Sequence, residues 1–116
     1  MKKILFVIND APYGDERPYN AMRHAMNLVK RDEVQVMVFL VADSVYCARK
    51  AQKTPDGYYN IERMVKSLTK RGKVATWGTC CEARGLGLDE LTEGVEMGNM
   101  DLLGDWTLEA DQVIVY

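Results

Sequence analysis

The chain of 116 residues is the size of one domain, which we expect to span residues 1–116, and its 47% hydrophobic residues suffice for a core without disulfide or metal staples. Its formal charge of −2 comes from 15 basic and 17 acidic residues in which no block of like charge stands out, so neither nucleic acid nor a membrane is an expected partner. No stretch approaches the about 20 apolar residues of a membrane span, and the short apolar start lacks a cleavage site, so we expect a soluble cytoplasmic protein.

The first predicted element is a strand over Lys3–Ile8, because a continuous apolar run rich in branched residues is typical of strands buried on both faces. The turn-forming segment Asn9–Gly14 ends this strand. A helix is predicted from about Arg17, since Pro18 suits a first helical turn. Its apolar face has helical spacing and consists of Tyr19, Met22, Met26 and Val29.

A second strand is predicted over Val34–Val41, which is another run of branched and apolar residues. Asp43 or Ser44 is expected to cap a short helical stretch over residues 45–48. Residues 51–58 contain a Thr-Pro-Asp-Gly segment and are predicted to form an exposed loop.

The most regular helical pattern lies between Asn60, a predicted N-cap, and Gly72, a predicted stop. Its apolar face consists of Ile61, Met64, Val65 and Leu68. The remaining predictions are a strand over 73–77, a cysteine-containing loop over 78–87, a helical turn over 89–93, a loop or short strand over 94–98, a helix over 99–110 that buries Leu103 and Trp106, and a strand over 112–116.

Strands that alternate with helices predict an α/β layered fold with a mainly parallel sheet. In open sheets of this kind, ligands bind outside the carboxyl ends of the strands. Three predicted loops lie at that edge, over residues 9–14, 43–47 and 78–87. The third loop contains Cys80, so this thiol is expected where such a fold keeps its chemistry.

The three cysteines, Cys47, Cys80 and Cys81, are expected to be free thiols. An odd number is a poor disulfide framework. Adjacent Cα atoms lie about 3.8 Å apart, below the disulfide range of about 4.4–6.8 Å, so a bridge between the adjacent pair would be strained. Free thiols indicate a reducing compartment.

Cys80 is the candidate nucleophile. It follows a buried strand and precedes a stretch that can start a helix, whose positive dipole end favours the thiolate. Arg84 adds a positive charge four residues later, which Glu82 opposes. A small buried hydrophobe is the competing interpretation of any free cysteine. By residue type Cys81 is as reactive as Cys80, but adjacent side chains usually point in different directions, so one member of the pair is expected to be buried. Cys47 is expected to serve packing.

Other chemistries fit these residue types poorly. Zinc usually takes four Cys or His ligands, and the chain offers three Cys and the single His24, so no metal is expected. His24 lies off the apolar face of its helix, where we expect it to be solvated, and it is therefore a poor base for a cysteine hydrolase. Gly14 and the Gly85-Leu86-Gly87 segment match neither phosphate-loop motif, so no cofactor is expected and nucleotide binding stays a weak alternative.

Short characteristic segments occur in a fixed order along the whole chain. They are Ala11-Pro12-Tyr13-Gly14, Phe39-Leu40 before Ala42-Asp43, Gly57-Tyr58 with Asn60-Ile61, Thr79-Cys80 with Arg84-Gly85, Gly94-Val95-Glu96, and Trp106-Thr107-Leu108 with Ala110-Asp111. With these segments the chain resembles the DsrE/DsrF-like family of sulfur-relay proteins, and within it the small homomeric members.

The resemblance implies a three-layer α/β/α fold with a mostly parallel, about five-stranded sheet, and assembly into a homo-oligomer, either a trimer or a hexamer. Cys80 occupies the position of the cysteine that carries sulfur as a persulfide in relay members. The implied function is a sulfur carrier, for which sulfurtransferase would be the enzyme class, with sulfur donor and acceptor proteins as partners. Cys81 stands where the family has another residue type, which makes it a possible accessory thiol.

The predicted site has Cys80 as its catalytic thiol. Arg84 and backbone N–H groups after Cys80 are expected to stabilise the sulfur anion, while Asn9, Tyr13 and Asp43 are expected to line the mouth. Two alternatives stay open at this point: a non-catalytic binding or assembly module with the same fold, and a redox-sensing thiol protein.

Overall fold

The computed structural model describes residues 1–116 and is built on one five-stranded parallel sheet. Its strands are β1 (Lys2–Ile8), β2 (Val34–Leu40), β3 (Lys73–Trp77), β4 (Glu96–Gly98) and β5 (Gln112–Val115). They are hydrogen-bonded in the order β4-β3-β2-β1-β5, and each neighbouring pair is parallel. The predicted parallel α/β sheet is therefore confirmed.

Four α-helices and two short 3₁₀ helices connect the strands. The helices are α1 (Arg17–Val29), α2 (Ile61–Arg71), α3 (Gly78–Ala83) and α4 (Met100–Glu109), and the 3₁₀ helices span Ala42–Ala48 and Leu88–Glu90. The connections through α1 and α2 move along the sheet in one direction, whereas α4 returns from β4 at one edge to β5 at the other. Because such crossovers are right-handed, α1 and α2 cover one face and α4 covers the other, which gives the predicted three layers. None of these helices is long and apolar enough to cross a membrane.

Two hydrophobic clusters hold the layers together. The larger cluster contains 17 buried residues between the sheet, α1 and α2. The smaller cluster lies under α4 and consists of Leu5, Met37, Phe39, Ala75 and Trp106. Trp106 packs edge-on against Phe39, with the ring centroids 5.7 Å apart, and it is the anchor of the only helix on that face. Leu103, which was predicted to be buried with it, is half-buried.

The predicted ends of α2 are confirmed. The Asn60 side chain accepts a hydrogen bond from the Arg63 backbone N–H at 3.1 Å, as an N-cap residue should. Gly72 ends the helix in an extended conformation with φ −133. A side chain at this position would bring Cβ within 2.6 Å of the Val36 carbonyl oxygen, so Gly72 is needed for the close approach of α2 to β2.

The loop predicted over residues 78–87 is wrong for its first six residues, because α3 begins directly after β3 with Trp77 as its N-cap. Gly78 looked like a turn signal. It instead allows a close contact with β4, since a Cβ there would lie 3.1 Å from the Gly98 carbonyl oxygen. The helix stops before Gly85, which has φ +69, a conformation that favours glycine.

Two further expectations are corrected by the structure. The 3₁₀ helix over Ala42–Ala48 begins without a side-chain cap, because the Ser44 hydroxyl instead donates to the carbonyl oxygens of Ile8 and Val41. His24 is half-buried rather than solvated. Its Nδ1 lies 2.9 Å from the hydroxyl of Tyr116, because the end of the chain folds back against α1.

The other late elements follow the prediction closely. The segment 94–98 contributes the short strand β4, and the turn predicted over 89–93 is found as the 3₁₀ helix Leu88–Glu90. The predicted helix over 99–110 is α4, whose N-cap Asn99 accepts from the Leu102 backbone N–H at 2.9 Å.

Charge is distributed unevenly along the chain, although the acidic residues of its last part are dispersed and form no continuous block. No basic residue follows Arg84. Eight acidic residues do: Asp89, Glu90, Glu93, Glu96, Asp101, Asp105, Glu109 and Asp111. By contrast, a groove of about 450 Å³ between α1 and α2 has only basic charged side chains, those of Arg23, Lys30 and Arg71.

Candidate functional site

The candidate site lies where β2 and β3 end. The chain leaves β2 into the 3₁₀ helix Ala42–Ala48 and leaves β3 directly into α3, in which Cys80 is the third residue. These two strands are neighbours in the sheet, so the two segments meet at its carboxyl edge. Cys80 lies at this edge, where the predicted fold placed it, and its side chain is half-buried.

A backbone donor from the neighbouring segment contacts the Cys80 sulfur. The Ala42 N–H donates to Cys80 Sγ over 3.3 Å. Ala42 has φ +51, which is unusual for a residue with a side chain. This donor was not predicted, because it precedes Cys80 by 38 residues and an alanine gives no sequence signal of a left-handed conformation.

Arg84 connects the same two segments through three hydrogen bonds. Its Nε and Nη2 atoms donate to Asp43 Oδ1 over 2.9 and 2.8 Å, and its Nη1 atom donates to the Cys80 carbonyl oxygen over 3.1 Å. The hydrogen bond with Asp43 raises the pKa of Arg84 further, so its positive charge persists at any physiological pH. The structure therefore brings together three of the predicted site residues, Cys80, Arg84 and Asp43.

An apolar cluster forms the inner wall of the site. Val45, Cys81 and Leu86 are buried in it, and Tyr46 and Cys80 pack against it while remaining partly exposed. Burial raises the pKa of the Cys81 thiol. The adjacent pair is thus divided as predicted, with one thiol that reaches solvent and one that does not.

Cys47 is also excluded from solvent chemistry. It is fully buried in the large core, and burial raises the pKa of its thiol to about 12. The prediction that Cys47 serves packing is confirmed by this position. Cys80 is consequently the one thiol of the chain that solvent or a partner can reach without an opening of the fold.

Asn9 and Tyr13 contact other parts of the molecule. Asn9 Nδ2 donates to the carbonyl oxygen of Tyr116 over 3.0 Å. The Tyr13 hydroxyl donates to the Gln52 side chain and accepts from the Ile61 backbone N–H over 3.0 Å, and burial raises its pKa. Neither side chain is hydrogen-bonded to Cys80 or Arg84, so their assignment to the mouth of the site stays a prediction.

The thiol faces an open surface. The largest groove, of about 480 Å³, lies beside α2 and is lined by residues such as Glu62, Lys66 and Leu91. Cys80 lines none of the four grooves of the molecule. No group of three or more His, Cys, Asp or Glu side chains is arranged to hold a metal ion. The Cys80 thiol is therefore reached from the molecular surface and not from within a groove.

Known proteins resemble this chain over its full length. The model of the DsrE/DsrF-like family matches residues 2–116. The protein YchN of Escherichia coli strain K12 is 37% identical over 118 residues, with 100% of each chain covered. An uncharacterised protein of Methanopyrus kandleri is 38% identical over 114 residues, which cover 97% of this chain and 93% of that protein.

Solved structures give the same result. The crystal structure of YchN from E. coli superposes with a TM-score of 0.93 at 37% identity and covers both chains completely. A protein of unknown function from Methanobacterium thermoautotrophicum superposes with a TM-score of 0.79 over both full chains, and at 19% identity this likeness concerns the fold alone.

Proposed function

This chain belongs to the DsrE/DsrF-like family, and we propose that it carries sulfur as a persulfide on Cys80. The observation that carries the proposal is the accessibility of the thiols: Cys80 is half-buried at the carboxyl edge of the sheet, while Cys47 and Cys81 are fully buried. A carrier needs one reachable, partly ionised thiol and little acid–base machinery, which suits a chain with a single histidine.

The chemistry is an exchange of one sulfur–sulfur bond for another. The Cys80 thiolate attacks the outer sulfur of a donor protein's persulfide, the donor's S–S bond breaks, and the donor's inner sulfur leaves as a thiolate. Cys80 then carries the outer sulfur as Cys80–S–SH. An acceptor thiolate attacks that outer sulfur in turn and releases Cys80 as a thiolate, so the two steps together involve no net oxidation or reduction.

Arg84 and Asp43 support this chemistry from the side. The guanidinium is held between the Asp43 carboxylate and the Cys80 carbonyl oxygen, which fixes a positive charge beside the thiol. Asp43 is largely exposed and offsets part of that charge. We assign Arg84 the role of stabilising the sulfur anion and Asp43 the role of positioning Arg84.

The test is mass spectrometry of the protein after incubation with a cysteine desulfurase and cysteine. We expect one added sulfur on the peptide that contains Cys80, none in Cys80→Ser, and unchanged loading in Cys81→Ala, since Cys81 is buried. Wild-type protein that stays unloaded while a control acceptor is loaded would contradict the carrier function. Selective oxidation of Cys80 by mild peroxide without any loading would favour a redox-sensing thiol instead.

We also propose that the chain forms a homo-oligomer, a trimer or a hexamer, through its α4–β5 surface. Large apolar side chains are exposed there, with Leu108 88%, Met100 62% and Val115 66% accessible. The exposed carboxylates of α4, Asp101, Asp105 and Glu109, lie on this surface. The basic α1–α2 groove is lined by the apolar side chains of Met26, Val29 and Met64. The two surfaces complement each other in charge and in apolar character, which supports a head-to-tail contact between copies.

Light scattering after size exclusion tests this assembly. We expect a mass of three or six times the 13.2 kDa of one chain, and a smaller mass for Leu108→Glu. Leu88→Glu is a matched control, because Leu88 is 62% exposed and lies outside α4 and β5. A monomeric wild-type protein, or equal effects of the two substitutions, would contradict this proposal.

An assembly module without sulfur transfer is the alternative function. The apolar and acidic α4–β5 surface is the observation that favours it. It predicts that Cys80→Ser keeps its oligomeric state and that wild-type protein never gains sulfur. Because all three cysteines are free thiols, either function is proposed for a reducing compartment such as the cytoplasm.

A further inference from the structure

We propose that the Ala42 peptide N–H stabilises the Cys80 sulfur whenever that sulfur is negatively charged, and thereby favours delivery of sulfur over its retention. The observation behind this is the hydrogen bond from Ala42 N to Cys80 Sγ, 3.3 Å long, which reaches the sulfur from a different segment of the chain. The first half of the inference concerns the thiol alone. The second half, on delivery, rests on the proposed carrier function.

The peptide groups on both sides of Val41 are held by hydrogen bonds. The Val41 N–H donates to the Ile8 carbonyl oxygen over 3.0 Å and so extends the pairing of the sheet by one residue. The Val41 carbonyl oxygen accepts from both the backbone N–H and the hydroxyl of Ser44, over 3.0 and 2.7 Å. A donor fixed in this way needs no reorganisation when charge develops on the sulfur, which is the property that makes such groups effective.

The conformation of Ala42 gives this N–H its direction. β2 ends at Leu40, and at Ala42 the chain adopts φ +51 instead of continuing as a strand. This left-handed conformation is unfavourable for residues that carry a β-carbon, so the surrounding hydrogen bonds must impose it. Without Cys80 the half-buried Ala42 N–H would have no partner in the protein, and buried backbone donors are rarely left unpaired.

The hydrogen bond acts differently on the two steps of the relay. During loading the charge leaves the Cys80 sulfur, so a donor that stabilises this anion makes it a weaker nucleophile. During delivery the acceptor thiolate attacks the outer sulfur, the S–S bond breaks and its electron pair returns to Cys80 Sγ. The Ala42 N–H then stabilises the leaving thiolate, and a more stable leaving thiolate departs faster.

Replacement of Ala42 by lactic acid tests the proposal, because it converts the amide between Val41 and Ala42 into an ester. This removes the N–H, keeps the side chain, and leaves the Val41 carbonyl oxygen in place as a weaker acceptor for Ser44. The readout is the rate at which iodoacetamide alkylates Cys80, measured against pH by mass spectrometry. We expect the pH of half-maximal rate to rise by about one unit, since a hydrogen bond to a charged group is worth about a factor of ten or more. The plateau rate at high pH should rise by about threefold, because a more basic thiolate is more nucleophilic.

Two controls isolate the N–H of Ala42. The α-hydroxy analogue of Val41 removes the N–H that bonds to Ile8 and should leave the half-maximal pH of Cys80 within about 0.3 unit of wild type. Ala42→Gly keeps the N–H in a conformation that glycine adopts freely, so it should also leave the half-maximal pH of Cys80 within about 0.3 unit of wild type. A lactic acid variant that stays within the same limit would overturn the proposal.

A second measurement does not depend on the folding of a variant. The amide proton of Ala42 in ¹⁵N-labelled wild-type protein should change its chemical shift as Cys80 ionises, and Cys80→Ser should abolish that change. An amide proton of Ala42 that does not follow the ionisation would equally overturn the proposal.

Neither measurement uses a sulfur donor, so failure of the carrier function is distinguishable from failure of this inference. If the protein is not loaded with sulfur and both signals appear, the assignment of Ala42 stands and the relay does not. In loaded wild-type protein we expect transfer to dithiothreitol to be faster than in the loaded lactic acid variant. Equal transfer rates would contradict the role of Ala42 in delivery.

Discussion

Labelling of the native protein with iodoacetamide should modify Cys80 and leave the other two thiols intact. Cys80 is half-buried and faces solvent, whereas Cys47 and Cys81 have no exposed surface. The native protein is treated with iodoacetamide at about pH 8, where an ordinary thiol with a pKa of about 8.5 is partly ionised. The prediction concerns the ratio of the rates, because this ratio reports the accessibility on which the proposed function depends.

The structure sets a lower bound on that ratio. Burial raises the pKa of Cys47 to about 12, so at about pH 8 only about one molecule in 10⁴ carries the thiolate, against about one in four for an ordinary thiol. Reaction at Cys47 or Cys81 also requires the fold to open locally, at a free-energy cost that approaches the global stability of about 5–15 kcal/mol for core positions. We therefore expect Cys80 to react at least about 10³ times faster than Cys47.

Tandem mass spectrometry after timed quenching measures the three rates separately, because fragment ions that divide the peptide between Cys80 and Cys81 assign the label to one of them. In about 8 M urea the protein is unfolded and all three thiols should react at similar rates, which provides the control for intrinsic reactivity. Labelling of Cys81 or Cys47 within about tenfold of Cys80 in the native protein would refute the assignment of a single reachable thiol.

Two further predictions concern stability. The pKa of Cys47 is about 12 in the folded protein and about 8.5 in the unfolded protein, so above about pH 8.5 the unfolded protein loses this proton first. The free energy of unfolding should therefore be constant below about pH 8.5 in this respect and fall above it by up to about 1.4 kcal/mol per pH unit. Urea denaturation should show a shallower fall for Cys47→Ala, and equal slopes for the two proteins would contradict this. In the same assay Asn60→Ala should lower the free energy of unfolding by about 2–3 kcal/mol and Asn99→Ala by about 1 kcal/mol. Asn60 is buried and also donates to Gln52, whereas Asn99 is an exposed cap. Equal losses for the two substitutions would contradict this reasoning.

The sheet and its main helices were predictable because their signals are local. Lys3–Ile8 and Val34–Val41 are apolar runs on both faces, and in the structure they are the two central strands of the sheet. α2 combines a strong helical period with an N-cap at Asn60 and a stop at Gly72, and each of these signals is used by the structure. The requirement for glycine at position 72 is not a local signal, because it depends on how closely the Val36 carbonyl oxygen approaches the backbone of Gly72.

The site was predictable only in part. Topology places the ends of β2 and β3 side by side, and this was enough to associate Cys80 with Asp43, while the spacing of four residues from Cys80 indicated Arg84. Asn9 and Tyr13 follow β1 and were grouped with them by the same rule. A strand end fixes only where a backbone lies, however, and the side chains of both residues turn to other partners.

Features that depend on three-dimensional contacts escaped the sequence analysis. A helix that starts at a glycine, as α3 does at Gly78, has a weak local signal, and Gly78 is explained only by its contact with β4. The left-handed conformation of Ala42 has no sequence signal. The acidity of the chain after Arg84 is visible in the sequence, and it was overlooked because the overall charge is nearly balanced.

The central claim is that Cys80 carries sulfur, and the most direct measurement is the mass of the Cys80 peptide in protein purified from its native host under non-reducing conditions. The account predicts a fraction of molecules with one added sulfur on Cys80, which a reductant removes and which is absent from the peptide that contains Cys47. Protein that carries no such sulfur in the host, and gains none from a desulfurase in vitro, would contradict it.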